Sequence, residues 1–261
     1  MVGRAGDGPG LGDGAAVTAW SSRWGMARLD RCESGHARHD RLTVPIRLDP
    51  ARRPIDDGPA SPRRVEFDLL VFDAARYANR QGYCSGDDEL SRAVRDQGCW
   101  EPWQTALTVD ILRSGPGSFV DLGSHVGWYT LLAASLGHHA YALDSDVEHI
   151  VLCSISAVRS RTLGLVNVAA GWLDERSAPL RSDEVGHVRL AKVDVEGAEA
   201  EAAQVLAPLL HHRAVDYALV EFSPEFGDGW RDCWSTFDVA GYSAHVLPDK
   251  GDDVDAFEAD P

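Results

Sequence analysis

Along the second half of this chain, short apolar runs alternate with longer stretches of helical spacing. Runs at 118–122, 140–144, 166–172, 188–194, 217–222 and 242–247 are rich in Val, Leu, Ala and Tyr. They have the length and composition of buried strands. Between them, apolar residues recurring every three or four positions predict helices over 126–136, 146–159, 197–211 and 229–240. Gly137 stops the first of these, and Asp146 precedes the second as an N-cap. Strand followed by helix, repeated, predicts an α/β domain with a parallel sheet covered on both faces: a doubly wound, Rossmann-like sheet. A last edge strand is expected near 254–257, folding back across 248–251.

The first half is patterned differently. Arg64 to Phe72 alternates as a strand does. Asp87-Asp88-Glu89-Leu90 opens a helix with its acids in the first turn, where the helix dipole favours them. A second helix is expected from Pro102 to Arg113, closed by Gly115-Pro116. Residues 45–115 therefore read as an N-terminal strand and helical cap, packed over a ligand site in the domain 116–261. Residues 1–44 have no sustained periodicity and are rich in Gly, Arg, Asp and Ala. Such a segment buries too little apolar surface to offset chain entropy, so it reads as disordered. Within it, Cys32-x-x-x-His36-x-x-His39 lacks a fourth ligand for zinc, and no metal site is assigned.

Charge narrows the choice of partner. The formal charge is −16; residues 1–64 carry 11 Arg against 8 acids, and the remainder 14 basic against 33 acidic residues. So acidic a domain lacks the basic track that nucleic acid requires, and it is repelled by anionic membrane surfaces. Five cysteines, widely spaced and without C-x-x-C, suit a reducing compartment. With no signal peptide or apolar run of spanning length, a cytoplasmic location is expected.

The candidate chemistry begins at Phe119-Val120-Asp121-Leu122-Gly123-Ser124-His125-Val126-Gly127. A strand ends in an acid, passes through a glycine turn and enters a helix, which is how a parallel sheet grips a small ligand at its carboxyl edge. A dinucleotide loop needs G-x-G-x-x-G, whose middle glycine lets the backbone approach a pyrophosphate. That glycine is missing here, and Asp121 would repel phosphate. An acid in this place suits a cationic ligand such as S-adenosylmethionine. Asp121, Gly123 and Gly127 are expected against its methionine end, Asp121 on the ammonium directly or through water. The bland alternative is a turn with a capping acid. His125 is placed beside the cofactor, with a surface or capping role as the alternative. Asp144 ends the second strand, where an acid accepts the two ribose hydroxyls.

Farther on stands Lys192-Val193-Asp194-Val195-Glu196-Gly197-Ala198-Glu199. If the strand runs through it, Lys192, Asp194 and Glu196 share one face and converge beside the reacting methyl group. Asp194 is the first candidate for a general base or hydroxyl acceptor, and Glu196 the second. Lys192, one of only two lysines in the chain, would hold a carboxylate or an acceptor oxygen.

With the loop at 121–127, the Lys192-to-Glu199 motif and Val220-Glu221-Phe222, the chain resembles the FkbM-type family of S-adenosylmethionine-dependent methyltransferases. The resemblance covers roughly Trp100 to the C-terminus. It implies the sheet of class I methyltransferases and O-methylation of a small metabolite or sugar. It also implies that Glu101, in Glu101-Pro102, approaches the cofactor from above. Two departures stand out: Ser124-His125 replaces Ala-Asn, and Asp144 replaces Glu. The first of them leaves open a non-catalytic S-adenosylmethionine-binding protein of the same fold. A nucleic-acid methyltransferase is disfavoured by charge, and a dinucleotide oxidoreductase by the missing glycine.

Overall fold

The computed structural model describes residues 2–4, 41–48, 65–72, 89–173, 185–245 and 247. The central strand is β4 (Ser118–Leu122), buried along its whole length. To one side lie β5 (Ala140–Asp144) and β6 (Val166–Ala170); to the other, β7 (Val188–Val193) and β8 (Val215–Val220). All five are parallel. The chain runs outward from β4 through β5 to β6 and then crosses back to β7 on the other side of β4, so a crevice opens at the carboxyl ends where the order reverses.

Alternate residues feed two cores. Phe119 and Leu190 face one layer with α2 (Pro102–Arg113), α3 (Trp128–Ser135) and α4 (Val147–Arg159). Val120, Leu122, Ala191 and Val193 face the other, with α5 (Glu199–His211) and α6 (Gly229–Val239). Burial on both faces is why these strands read as near-continuous apolar runs. The fold is thus α/β, doubly wound and Rossmann-like, as the pattern predicts.

At the far edge the sequence reading needs correction. Residues 2–4 form a strand, β1 (Val2–Arg4), between β8 and β9 (Tyr242–Ala244) and antiparallel to both. The disorder expected over 1–44 therefore does not extend to these three residues. It does not extend to β2 (Arg41–Leu48) either, which pairs with β3 (Val65–Phe72) as an antiparallel hairpin. An open sheet edge presents unpaired N–H and C=O groups to any extended segment, which needs no side-chain pattern to join it. β9 is shorter than the expected 242–247. The expected edge strand at 254–257 and the Cys32–His39 cluster lie outside the described residues.

β3 packs on α3 and α4. Three outward N–H groups of β3, at Asp68, Leu70 and Phe72, donate to Ser160 Oγ, Ser156 Oγ and Ser91 Oγ at 2.9, 2.8 and 3.0 Å. Ser156 lies in the last turn of α4, Ser160 is its C-cap and Ser91 belongs to α1 (Glu89–Gln97), so these N–H groups of the strand edge are satisfied without another strand. This explains why β3 is buried on both faces in its second half instead of alternating. Of the front section, Glu89 and Leu90 of α1 and Trp100 reach the carboxyl edge of the sheet. Among the described residues no helix is long and apolar enough to cross a membrane.

Candidate functional site

Asp121 is 1% exposed in the middle of the sheet. Thr130 Oγ1 on α3 donates to its Oδ2 at 2.6 Å, while Oδ1 is buried with no protein partner. Ser124 Oγ, three residues on, is likewise buried and unpartnered. Burial pushes the Asp121 carboxyl up to about 6, against the opposing pull of Lys192 and Thr130.

The two glycines of the loop have left-handed backbones, at φ 81° for Gly123 and 93° for Gly127. Their small size serves chain packing. A Cβ on Gly123 would overlap the Asp194 carbonyl oxygen, and one on Gly127 would meet Cys153 of α4. The close approach at Gly123 is therefore to the carboxyl end of β7, whose Asp194 N–H donates to Leu122 O at 2.9 Å. Helix α3 begins at Trp128 rather than 126 because Gly127 is its left-handed N-cap. His125, in the place the resembled family gives to Asn, also has positive φ, 48°. Histidine, like asparagine, is enriched in that region, so the departure is conformationally compatible.

Asp144 ends β5 and is the hub of the next loop. Its Oδ2 accepts the His125 N–H at 2.7 Å, and its Oδ1 accepts the Asp146 N–H at 2.8 Å and lies 3.0 Å from His149 Nδ1. Burial would raise its pKa, but His149 and these two backbone donors win and hold it below the usual carboxylate range. Asp146 is the N-cap of α4, accepting from the Glu148 N–H at 2.7 Å.

Under the loop lies a buried charge cluster. Lys192 sits opposite Asp121 in the β4–β7 register. Its Nζ is 2.6 Å from Asp194 Oδ2 and 4.9 Å from the centre of the Tyr129 ring. Burial disfavours the ammonium, yet Asp194, Asp121 and Glu101 together outweigh it and raise its pKa. Glu101, the left-handed N-cap of α2 at φ 40°, accepts from Tyr129 O–H at 2.7 Å. Burial, then Glu101, drive the Tyr129 pKa well up, so the phenol stays a donor. Thr105 joins α2 to the same layer, donating to Trp100 O at 2.7 Å and accepting from Trp128 Nε1 at 2.9 Å.

A cavity of about 400 Å³ opens at the carboxyl ends of β4, β5 and β7, within the usual range of small-molecule sites. Its floor is Gly123, His125 and Asp144; Asp194, Val195, Glu196 and Ala198 close one side. Ser145, His149 and Gly171-Trp172-Leu173 close another, and Glu89, Leu90 and Trp100 reach in from the front section. Among the described residues four carboxylates line it, at Glu89, Asp144, Asp194 and Glu196, and no lysine or arginine does.

Of the sequence-predicted residues, the cavity wall gathers Gly123, His125, Asp144, Asp194 and Glu196. Asp121, Gly127, Glu101 and Lys192 lie behind it. Lys192, Asp194 and Glu196 do not form one row: β7 ends at Val193, and Glu196 takes φ 45° before Gly197, so it turns outward to the rim. His149, Trp172 and Glu89 also line the cavity, although no sequence motif marks them for it. The residues just after β5 and β6 could have been found by topology, since ligands sit beyond carboxyl ends. His149 carries no such signal. Among the described residues no group of three His, Cys, Asp or Glu side chains is arranged to hold a metal ion.

Glu199, in the first turn of α5, is 1% exposed and accepts from the Gly197 and Ser223 N–H groups at 3.0 and 3.2 Å. It ties the turn after β7 to the loop after β8. Glu199→Ala should cost about 1–3 kcal/mol, because both donors lose their acceptor. The urea-unfolding midpoint checks this, with Glu199→Gln expected to retain most of the stability.

No family model matches the chain, and no curated protein does. Similar solved structures include the O-methyltransferase from Bacillus cereus in complex with SAH, at 15% identity over 42% of this chain and 52% of that one, TM-score 0.37. The precorrin-6y C5,15-methyltransferase from Geobacter metallireducens GS-15 is 12% identical over 58% and 77%, TM-score 0.43. The bifunctional kinase-methyltransferase WbdD is 20% identical over 51% and 31%, TM-score 0.39. The chain thus spans about half of the first and a third of the last. Likenesses this distant carry no information about residues or substrate.

Proposed function

We propose that the chain is an S-adenosylmethionine-dependent methyltransferase that methylates a hydroxyl of a small metabolite or sugar. The observation that carries this reading is the cavity at the sheet's switch point, whose described lining holds four carboxylates and neither lysine nor arginine. Such a wall favours a ligand with ammonium and sulfonium charges and repels a pyrophosphate. The residues also fit the ligand's donors. Asp121 Oδ1 and Ser124 Oγ are buried acceptors lacking a partner under the glycine loop, as an ammonium, or a water carrying its hydrogen bonds, requires. Asp144 would hold the ribose hydroxyls, and Trp100 and Trp172, which line the cavity, would contact the adenine or the sulfonium. The resemblance at 121–127 and 192–199 supports an FkbM-type assignment and hydroxyl acceptors.

The bound cofactor supplies an electrophilic methyl group. The protein's part is to align the acceptor oxygen, exclude water and take a proton. Asp194 lines the cavity with one oxygen fixed by Lys192, leaving the other to accept from a hydroxyl. Lys192 holds that carboxylate in place rather than touching the acceptor. Glu196, at the rim, would orient the acceptor as it enters.

The ion pair also supports a second reading, since a carboxylate committed to Lys192 is a weaker base. On that reading the chain binds S-adenosylmethionine without turning it over. Turnover of any hydroxylated acceptor by the wild type decides against it. The binding half is tested by melting the protein with and without S-adenosylmethionine. A saturating ligand raises Tm in proportion to RT ln(1 + [L]/Kd). Asp144→Ala should lose most of that rise and weaken binding about tenfold or more, one or two hydrogen bonds to an ionised group being lost. An undiminished rise would return Asp144 to a purely structural role.

A further inference from the structure

Asp121 is 1% exposed, and only one of its oxygens is engaged. Oδ2 accepts from Thr130 Oγ1 of α3 at 2.6 Å, while Oδ1 has no hydrogen-bond partner among the described residues. A buried carboxylate with an idle oxygen is costly, and a proton on it removes most of that cost. The neighbouring elements all bear on that proton. On β7, Lys192 favours ionisation, but its Nζ lies 2.6 Å from Asp194, which opposes it. Asp144 of β5 also opposes ionisation, and Glu101 at the N-cap of α2 draws on the same ammonium. Tyr129 of α3 and Cys153 of α4 stay neutral beside it, their pKa values raised by burial first and by nearby carboxylates, Asp121 included. Gly123, two residues on, stands in the cavity wall.

We infer that Asp121 is a positioning residue that selects a cationic ligand by proton exchange. In the free protein the carboxyl carries a proton on the acid side. It ionises when a positively charged ligand settles over the glycine turn, and the proton passes to solvent. This rests on the methyltransferase reading. Lying behind the cavity wall, Asp121 needs no contact with the ligand, since charge acts across the turn at low local dielectric. The direction of the pH dependence follows from burial, which pushes the free carboxyl up to about 6. A cation nearby favours the ionised form and lowers that value. Affinity is therefore full above about pH 6 and falls as the pH drops through it, where binding must expel the proton. The α-ammonium of the ligand keeps its own proton below about pH 7.7 and adds nothing to the profile there.

The test is calorimetry on the full chain with S-adenosylmethionine at about pH 5 and about pH 7, in two buffers of different ionisation enthalpy, which counts the protons exchanged. The wild type should bind about tenfold more weakly at the acid end and release about one proton there. Asp121→Asn keeps the shape and the bond from Thr130, and stands in for the protonated carboxyl. It should bind at both values about as weakly as the wild type does in acid, and release about one proton fewer at the acid end. Groups common to both proteins cancel in that difference. Should the variant fail to fold, carboxyl-carbon NMR of the wild type decides. One buried aspartate should titrate near pH 6 and move to lower pH when the ligand is added. A wild type that binds equally at both pH values and releases no proton overturns the inference. So does an Asp121→Asn protein that keeps the wild-type proton release or the neutral-pH affinity, or the lack of any such carboxyl signal. A folded wild type that does not bind S-adenosylmethionine at all overturns the methyltransferase reading along with it.

Discussion

Asp194→Asn should slow methyl transfer by about a hundredfold to ten-thousandfold, the range for loss of a positioned general base, while S-adenosylmethionine affinity changes little. The carboxylate lines the cavity, and Lys192 holds one of its oxygens at 2.6 Å. Asparagine keeps the shape and removes the charge that takes the proton. Lys192 keeps Asp121 and Glu101 as counter-charges, so the fold should survive, and circular dichroism would confirm it. An interaction made mainly in the transition state lowers kcat without a matching change in ligand dissociation. Single-turnover rates with an acceptor that the wild type methylates give the answer. Undiminished turnover would leave alignment alone as the source of rate.

The second large effect is expected at Gly123. Valine there would combine a left-handed backbone, φ 81°, with a Cβ on top of the Asp194 carbonyl. Strain and overpacking each cost about 1–3 kcal/mol, so a loss of roughly 3 kcal/mol or more is expected. Because the displaced atoms belong to the carboxyl end of β7, ligand binding should vanish together with the alignment of Asp194. Gly123→Ala should fall between the two. Unfolding midpoints and binding must be measured on the same samples. A stable, ligand-binding Gly123→Val would show that β4 and β7 need not meet there.

What the sequence makes legible follows from local chemistry. Apolar runs bounded by Gly137, Asp146 and the acid-ended strands locate the parallel sheet, and strand-end acids at Asp144 and Asp194 fall on the cavity wall. What escapes it depends on distant neighbours. Gly123 and Gly127 have the spacing of a ligand loop, but their spatial constraint is set by Asp194 and Cys153, remote in sequence. Glu196 leaves the row of Lys192 and Asp194 because the chain turns left-handed there, which alternation along a strand does not encode. His149 reaches the cavity through the way α4 follows β5, and no spacing rule marks it. β1 is three residues long, too short for any period, and pairs in the sheet with β8 and β9.

The central claim is that the acid-lined cavity between β4, β5 and β7 holds S-adenosylmethionine. Calorimetric titration of the full chain with S-adenosylmethionine, and separately with a nicotinamide dinucleotide, tests it most directly. The account predicts one equivalent of S-adenosylmethionine bound by the wild type, none by Gly123→Val, and no heat from the dinucleotide. A folded wild type that ignores S-adenosylmethionine, or prefers the dinucleotide, would contradict it.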